Sequence, residues 1–346
     1  MSQDLTIAVV GATGAVGAEF LKIVAERHPR LHKIKLLASR RSAGKRITVN
    51  GRELVVKETT EDSFKGVDIA FISVSTEVSR QLAPVAVAAG AVVIDDSSAF
   101  RMDPDVPLVV PEVNGEDVEG HQGIISIPNC STTPLVMVAH PLRQASPIAR
   151  IIADTYQSVS GAGGAAMVEL REQSRILLDG GKVTPQAIPH QIGFNIVPQI
   201  DSFLDNGYTR EEQKMINETR KIMHAPDIAI SATCVRVPVY VSHSAAVHLE
   251  LERSLSPEEA RDILAQMPGV KVLDDPSQGV YPMPWDAAGK DEVFVGRIRQ
   301  DASNPNGLAM WVVSDNLRKG AALNSIQIAE ELVARNCLKP GSRSRA

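Results

Sequence analysis

The sequence predicts a two-domain α/β protein. A parallel sheet flanked by helices comes first, and an α+β domain with a mixed, largely antiparallel sheet follows. The chain has 346 residues, which is long for a single hydrophobic core. Its first half alternates short β-branched runs with amphipathic segments, as βαβ units do. After about residue 130 the apolar runs are longer and alternate with polar residues, which is typical of antiparallel strands.

The first domain is predicted over residues 1–130. Strands separated by helices form right-handed crossovers, so the sheet should be parallel. A helix at about 316–337 is expected to complete this domain. The strands are predicted in LTIAVVG, KIKLLASR, VDIAFISV, AVVIDDSS and GIISIPN, and the helices in AEFLKIVAERH and TEVSRQLAPVAVAAG.

The second domain is predicted over residues 131–315. GYTREEQKMINETRKIMH has its apolar residues on one stripe and should be an exposed helix. The basic tail at 339–346 is predicted to be disordered. The strands are predicted in RIIADTYQSVSGAGG, DIAISATCVRVPVYV, SAAVHLELERSL and GLAMWVVSDNLRKG.

Composition excludes several classes of protein. A net charge of -5 gives no reason to expect nucleic acid as a partner. The first residues lack the features of a signal peptide, and no run approaches the ~18 apolar residues of a membrane span. Three widely spaced cysteines argue against a disulfide framework, and the lack of CxxC and HExxH motifs makes a metal site unexpected. We therefore expect a cytoplasmic enzyme without a metal.

The first motif with chemical meaning is GATGAVG at residues 11–17, directly after a predicted strand and at the start of a helix. Glycines there permit a tight turn and a close approach of the backbone to a pyrophosphate, and the helix N-terminus offers free N–H groups. This context favours dinucleotide binding in a Rossmann-like domain over an ordinary turn. The residues concerned are Gly11, Ala12, Thr13, Gly14, Ala15, Val16 and Gly17.

The end of the second strand indicates which dinucleotide is bound. A site selective for NAD usually places a carboxylate there to bind the ribose 2′-hydroxyl. This chain instead has ASRRSAGK at residues 38–45, without a carboxylate. Ser39, Arg40, Arg41 and Ser42 would suit a 2′-phosphate, so NADP is predicted. The alternative is a solvated basic turn.

Cys130 is the candidate nucleophile. It follows a predicted strand and precedes a predicted helix, and the N-terminus of a helix lowers the pKa of a thiol. Asn129, Ser131 and Thr132 flank it with polar groups at a strand end, where doubly wound folds place their sites. The alternative is a small buried side chain, which is the expectation for Cys234.

A nucleophilic cysteine needs an acid–base partner and an anchor for the substrate. His243 interrupts an apolar pattern between two strands, whereas His248 alternates with apolar residues and should face solvent. Arg236 interrupts an apolar strand and would be satisfied by a substrate carboxylate or, equally, by an internal ion pair. Arg101 follows another strand and could meet a phosphate, although an arginine there would ordinarily face solvent. His28, His32 and His121 lie in polar segments that we expect to be exposed.

Together these segments resemble the aspartate-β-semialdehyde dehydrogenase family. The resemblance runs in order from about residue 5 to 335, nearly the whole chain. The family more often follows PNCST with Ile-Gln, whereas this chain has Thr133-Pro134, which lies past the cysteine and puts little in doubt. The motifs are GATGAVG, DDSSAFRMD, VPEVN, PNCSTT, TYQSVSGAGG, ATCVRVPVYVSHS and VSDNLRKGAALNSIQIAE.

The resemblance implies a reaction and catalytic roles. Cys130 would attack the acyl carbon of β-aspartyl phosphate, expel phosphate and form a thioester, which NADPH would reduce to release aspartate semialdehyde. His243 would be the acid–base, and Gln157 would orient the acyl group beside Asn129. This reaction belongs to the biosynthesis of threonine, methionine and isoleucine, and of lysine through diaminopimelate. A homodimer or a dimer of dimers is also implied.

The resemblance also implies binding roles. Arg101 and Lys214 would bind phosphate, and Arg236 with Glu211 would hold the α-carboxylate and α-ammonium of the substrate. Glu212 remains an alternative to Glu211. The matching NADP contacts are residues 11–17, Arg41, Ser42, Ser160, Gly161 and Asn316.

Two other functions are compatible with parts of this pattern. N-acetyl-γ-glutamyl-phosphate reductase uses similar thioester chemistry on an N-acylated substrate, but Glu211 suits a free ammonium better than an acylated nitrogen. A cofactor-binding relative without catalysis would be expected to lack Cys130 or His243, and both are present. Glyceraldehyde-3-phosphate dehydrogenase shares the chemistry but lacks these flanking motifs.

Overall fold

A computed structural model describes residue 1 and residues 4–339. All of the tail predicted to be disordered, except its first residue, therefore lies outside the described residues. The strands are β1 Thr6–Val10, β2 Lys33–Ala38, β3 Arg46–Val49, β4 Arg52–Val55, β5 Lys57–Glu58, β6 Ile69–Ile72, β7 Val92–Asp95, β8 Ile124–Ser126, β9 Ile148–Gln157, β10 Ala229–Arg236, β11 His243–Leu251, β12 Val270–Val272, β13 Val293–Gln300 and β14 Gly307–Ser314. The α-helices are α1 Ala15–Arg27, α2 Thr76–Ala88, α3 Pro111–Asn114, α4 Thr132–Ala145, α5 Gly164–Leu178, α6 Arg210–Ile222, α7 Pro257–Gln266, α8 Pro284–Ala287 and α9 Leu323–Ala334.

The chain divides into two compact units. Unit 1 contains Met1–Pro128 and the chain from Ala321 onward, and unit 2 contains Asn129–Gly320. Unit 1 is built on a parallel sheet and unit 2 on a mixed one, so the predicted α/β fold class is confirmed. No helix in the described part of the chain combines the length and apolar character that a membrane crossing needs.

Unit 1 has a six-stranded parallel sheet in the order β5-β2-β1-β6-β7-β8. Its strand β1 is apolar from Ile7 to Val10 because both of its faces are covered. Ile7 and Val9 join a core cluster with residues of α1 and α9, whereas Ala8 and Val10 join a second cluster with residues of α2. Burial on both faces explains why the strand does not alternate between apolar and polar residues. The carboxyl ends of these strands carry the glycine-rich loop.

Unit 2 has a six-stranded mixed sheet in the order β10-β9-β11-β14-β13-β12. Strand β11 pairs antiparallel with β9 and β14, and β10 runs parallel to β9. Thr155 and Gln157 of β9 are buried, whereas Tyr156 between them is exposed. Tyr156 packs against Trp311 of β14, with ring centroids 5.3 Å apart. Helices α4, α6 and α7 pack on the strands of this sheet.

Two expectations about exposure in unit 1 are wrong, and the first concerns His28, which is partly buried with its Nε2 2.7 Å from Glu330 Oε1. The second concerns His121. His121 lies in a polar segment but is only 1% exposed. Its Nε2 is 2.7 Å from the Cys337 carbonyl oxygen, and its Nδ1 accepts the Gly123 N–H at 3.0 Å. Burial lowers the pKa of His121, which keeps the ring neutral inside the unit. The contact with Cys337 comes from the far end of the chain, so local polarity gave no sign of it.

Candidate active site

Cys130 lies in a turn that Asn129 holds in place. The Asn129 Oδ1 accepts the Ser131 N–H at 2.8 Å, and its carbonyl oxygen accepts the N–H groups of Thr132 and Thr133 at 2.9 and 3.1 Å. Because α4 begins at Thr132, the cysteine stands two residues before the first helical residue. The sequence PNCST therefore forms a closed turn that fixes the direction of the thiol relative to the helix.

The same asparagine joins this turn to α6. Its N–H donates to Glu218 Oε2 at 2.6 Å, and its Nδ2 donates to Glu211 Oε1 at 2.8 Å. Gln157, at the end of β9, donates through Nε2 to the same Glu211 oxygen at 3.1 Å and to the Ser131 hydroxyl. The buried Gln157 Oε1 has no hydrogen-bond partner within the described residues. The cluster thus keeps one buried acceptor available beside the cysteine turn.

Glu211 is an ionised carboxylate despite its burial. Burial alone would raise its pKa, but the charge of Lys214 and the hydrogen bonds from Asn129 and Gln157 hold it below the ordinary value. Lys214 Nζ lies 3.2 Å from Glu211 Oε2 and 3.0 Å from Asp201 Oδ2. Burial opposes the charge of Lys214, yet these two carboxylates raise its pKa. The result is a partly buried, charged triad at one end of the cluster.

Glu212 points away from this cluster. Its Oε2 accepts the Thr209 N–H at 2.6 Å in a capping box at the start of α6, and its Oε1 accepts the Cys234 N–H at 2.9 Å. Both carboxylate oxygens are therefore engaged in holding α6 to β10. The geometry favours Glu211 in the choice that the sequence left open. The expectation that α6 is an exposed helix is wrong, because Glu211, Glu212 and Glu218 are all buried.

His243 and Arg236 converge on the loop after β9. The Ser158 N–H donates to His243 Nδ1 at 3.0 Å, and the Ser158 carbonyl oxygen accepts from Arg236 Nη1 at 2.7 Å. Both side chains are buried, and within the described part of the chain His243 Nε2 has no hydrogen-bond partner. A Cβ on Gly161 would lie 3.0 Å from His243 Nε2 and 3.1 Å from Arg236 Nη1. The glycine therefore lets both groups approach its backbone more closely than a residue with a Cβ would allow.

Asn316 fixes the backbone around this histidine. Its Oδ1 accepts the Ser242 N–H at 2.9 Å and the hydroxyls of Ser158 and Ser160 at 3.1 and 3.0 Å. Ser242 has a φ of +77°, in the left-handed region that residues other than glycine rarely adopt. Such strain persists where the surrounding contacts enforce it, and it is common at functional sites. The hydrogen bond that the Ser242 N–H donates to Asn316 is one such contact. It fixes the residue directly before His243, where β11 begins.

The other two candidates in unit 2 are less involved. Cys234 is fully buried, its Sγ lies 3.5 Å from Met215 Sδ, and burial raises the pKa of its thiol. The expectation of a small buried side chain is correct there. His248 is partly exposed, as its position on the strand indicated, and its Nδ1 lies 2.7 Å from Asp301 Oδ2.

In unit 1 the loop after β1 fits a dinucleotide pyrophosphate. Gly11 has a φ of +88°, and a Cβ on it would lie 2.1 Å from the Ser73 carbonyl oxygen. A Cβ on Gly17 would lie 2.3 Å from the Gly11 carbonyl oxygen. Helix α1 begins at Ala15, and Gly14 before it provides no side-chain cap. The first N–H groups of α1 are therefore available to an anion.

The end of β2 carries the residues assigned to the 2′-phosphate. Ser39 precedes a short 3₁₀ turn at Arg40–Ser42, and the two arginines are exposed. The segment Ser39–Ser42 itself contains no carboxylate, and Glu58 of β5 pairs with Ala38 next to it. Arg101 of unit 1 is not solvent-facing, since it is 7% exposed and donates to the Asp96 carbonyl oxygen at 2.9 Å. The ordinary expectation for an arginine after that strand is therefore wrong.

Comparisons with known proteins identify the family of this chain. The family model described as semialdehyde dehydrogenase, NAD binding domain, matches residues 6–121, and the model for the dimerisation domain matches residues 140–319. Aspartate-semialdehyde dehydrogenase of Bacillus subtilis is 52% identical over 340 residues, covering 96% of this chain and 98% of the relative. The chain belongs to the aspartate-semialdehyde dehydrogenase family. It is therefore an oxidoreductase that acts on an aldehyde, with an NAD(P)-binding domain at its N-terminus.

Solved structures of the family share its fold. Aspartate semialdehyde dehydrogenase II from Vibrio cholerae, complexed with ASA, superposes with a TM-score of 0.94 at 46% identity, covering 96% of this chain and 99% of that one. The enzyme from Candida albicans with NADP gives a TM-score of 0.72 at 28% identity, covering 96% and 99%. The resemblance carried by PNCSTT and QSVSGAG is thus confirmed at the level of the family.

The site contains residues that the sequence analysis did not identify. Ser158 contacts both His243 and Arg236, and Glu218 holds the turn before Cys130. Ser158 stands inside the QSVSGAG motif, so the motif was a usable signal for it. Glu218 is separated from Asn129 by a long stretch of sequence and lies on a helix that was expected to be exposed. Only its tertiary contact identifies it.

Proposed function

We propose that this chain catalyses the reversible, NADPH-dependent reductive dephosphorylation of β-aspartyl phosphate to aspartate β-semialdehyde, through a thioester on Cys130. The observation that carries the proposal is the buried hydrogen-bonded cluster of Asn129, Gln157 and Glu211 around the cysteine turn. A buried, ionised carboxylate suits a substrate with a free ammonium group. This feature favours the aspartyl substrate over an N-acylated one.

Cys130 is proposed as the nucleophile and His243 as the acid–base. The thiolate would bond to the acyl carbon while the bond from that carbon to phosphate breaks. Gln157 would orient the acyl group beside Asn129, as its fixed side chain supports. When bound, NADPH supplies the hydride that the thioester accepts. His243 would hold a proton at the substrate oxygen, and breaking the carbon–sulfur bond would return Cys130 and release the aldehyde.

Charged side chains are proposed to anchor the substrate. Arg236 would grip the α-carboxylate, and Glu211 would hold the α-ammonium. Arg101 and Lys214 are proposed to bind phosphate, which requires Lys214 to exchange part of its present pairing with Glu211 and Asp201 for the substrate. Two cations on an acyl phosphate would offset its charge and fix its position.

NADP is proposed as the preferred cofactor because a 2′-phosphate would meet arginines at the end of β2. The glycine-rich loop would bind the pyrophosphate, as its tight packing and uncapped helix support. The proposed cofactor contacts are residues 11–17, Ser39, Arg40, Arg41, Ser42, Ser160, Gly161 and Asn316. We further propose that the protein works in the cytoplasm, in the aspartate pathway to lysine, threonine, methionine and isoleucine.

The assembly is proposed to be a homodimer formed through unit 2, or a dimer of such dimers. The match of unit 2 to a family model described as a dimerisation domain supports a homodimer. Tyr156 on its sheet and Trp285 on α8 are exposed and would give such an interface an apolar centre.

The first test is reduction of NADP by the purified protein with aspartate semialdehyde and phosphate, beside an identical assay with NAD. We expect turnover that requires phosphate and favours NADP. Turnover with NAD alone would keep the reaction but contradict the 2′-phosphate assignment. Turnover of only the N-acetylated longer substrate would contradict the proposed substrate.

A cysteine comparison tests the nucleophile. Cys130→Ala should abolish turnover while NADPH still binds, because no thioester can form. Cys234→Ala is the matched control, and it should remain active because that thiol is buried away from the cluster. Activity of Cys130→Ala within about tenfold of wild type, which is only ~1.4 kcal/mol of barrier, would remove Cys130 from its role.

A further inference from the structure

We infer that Ser158 is a positioning residue that orients His243 and sets which of its ring nitrogens carries the proton. The inference rests on the proposed role of His243 in the reaction and adds a residue to that site. Ser158 is fully buried at the point where β9 ends. Its N–H, hydroxyl and carbonyl oxygen all contact other residues of the site.

The backbone amide determines the tautomer. An amide N–H can only donate, and the Ser158 N–H lies 3.0 Å from His243 Nδ1 in hydrogen-bond geometry. The Nδ1 atom must therefore present its lone pair, so the proton of the neutral ring is on Nε2. Burial, and then the positive charge of Arg236, lower the pKa of His243 well below its ordinary value. The resting ring is thus a neutral donor at Nε2.

The hydroxyl of Ser158 supports the same orientation. An amide oxygen can only accept, so the Ser158 hydroxyl donates its single proton to Asn316 Oδ1 at 3.1 Å. The same oxygen lies 3.0 Å from His243 Nδ1 and 3.0 Å from the Ser160 hydroxyl. The hydroxyl therefore links the imidazole to the fixed amide of Asn316. Ser160 and Ser242 also donate to Asn316 Oδ1, which holds that oxygen still.

The opposite side of the ring faces the backbone of Gly161. His243 Nε2 is buried and has no hydrogen-bond partner among the described residues. A Cβ on Gly161 would lie 3.0 Å from this nitrogen and 3.1 Å from Arg236 Nη1, so only glycine lets both side chains lie this close to the backbone. A buried donor without a partner is costly unless a ligand satisfies it. An oxygen of the substrate that gains negative charge during the reaction would satisfy the Nε2–H donor.

The charged groups around the ring agree with this assignment. On β10, Arg236 disfavours a second positive charge on His243. From the loop after β9, the neutral Ser158 contacts the ring, and the neutral Ser160 and Asn316 contact Ser158. A hydrogen bond with the Ser242 backbone raises the pKa of His243, but burial and Arg236 outweigh it. Contacts at Nδ1 therefore set the tautomer, and the nearest charge keeps the ring neutral.

The direct experiment is ¹⁵N NMR of the full-length wild-type protein labelled at histidine, with and without NADP. At neutral pH we expect His243 to show the neutral tautomer protonated at Nε2, with His243→Asn used to assign the signal. A ring protonated at Nδ1 would overturn the inference. This measurement does not depend on turnover, so it remains decisive even if the proposed reaction is wrong.

Kinetics of serine variants provide the second test. Ser158→Ala should lower kcat about tenfold or more, while the KM for NADP stays within twofold of wild type. Ser158→Thr keeps the hydroxyl and should therefore recover most of kcat. The control is Ser244→Ala, which removes a buried hydroxyl beside His243 that has no partner within the described residues. Its kcat should stay within twofold of wild type. A kcat of Ser158→Ala equal to that of Ser244→Ala would overturn the role of the hydroxyl.

Discussion

Gly161 shows how an absent side chain can define a site at the scale of single residues. Its missing Cβ would lie 3.0 Å from His243 Nε2 and 3.1 Å from Arg236 Nη1, which is closer than ordinary van der Waals contact. The backbone there does not need glycine, because Gly161 is not among the residues with positive φ. The space, rather than the backbone conformation, is therefore the reason for a glycine at this position.

We predict that Gly161→Ala lowers kcat/KM for the semialdehyde by about tenfold to a hundredfold, since small displacements of reacting groups cost this much. The methyl group would displace the histidine or the arginine by a few tenths of an ångström. Steady-state kinetics with the semialdehyde and NADP varied separately would measure the effect. Gly164→Ala is the matched control, because a Cβ there meets nothing within 4 Å. If only the KM for NADP rose, Gly161 would have no part in placing the groups that meet the substrate, and its role would be in cofactor binding alone.

The residues with distinctive chemistry were the ones that sequence could identify. Cys130 and His243 interrupt their surroundings and could be singled out from pattern and family resemblance. Ser158 lies inside the QSVSGAG motif, but the motif did not reveal its role, because one of its contacts with His243 is made by a backbone N–H that every non-proline residue possesses. Its function arises only when the end of β9 meets the start of β11.

At the scale of elements, α6 has two different uses for adjacent carboxylates. Glu211 contacts Asn129, Gln157 and Lys214, whereas Glu212 closes the capping box with Thr209 and binds the backbone of β10. Neighbouring positions on a helix point in different directions, so one residue can serve the site while the next holds the helix.

We predict that Glu212→Gln lowers the free energy of unfolding by about 1–3 kcal/mol, because one of two buried N–H donors loses its acceptor. Denaturant unfolding would measure the change, with m compared between variants. Glu259→Gln in the exposed capping box of α7 is the control and should cost less, since its partner N–H can bond to water. If both variants lost the same free energy of unfolding, the contact between Glu212 and β10 would contribute nothing to stability.

Sequence predicted elements well where a local pattern sufficed. The five strands predicted in the first domain all form, because they are continuous apolar runs between turns. Strand β13 was not predicted, and its pairing with β14 shifts between Gly296 and Arg299, where Arg297 has a φ of +54°. Such a bulge interrupts the alternation on which strand prediction depends. The burial of α6 was also missed, because the partners of its carboxylates come from distant segments.

At the scale of the whole molecule, the exposed side of the sheet in unit 2 carries large apolar side chains that a partner subunit could cover. Tyr156 is 40% exposed and Trp285 is 90% exposed. A cavity of about 320 Å³ lies beside them on this unit, lined by Tyr281, Met283, Trp311 and neighbouring residues. Large exposed apolar patches commonly mark protein–protein interfaces. The proposed homodimer would cover this surface.

We predict that Tyr156→Glu converts the dimer to a monomer at micromolar concentration, because a carboxylate buried without a partner in an apolar interface costs several kcal/mol. Sedimentation equilibrium would measure the mass. Val55→Glu, at a similarly exposed apolar position on β4 of unit 1, is the control and should leave the mass unchanged. A Tyr156→Glu protein that remained dimeric would place the interface elsewhere on unit 2. Loss of the dimer in both variants would indicate general destabilisation, which a thermal melt of each variant would detect.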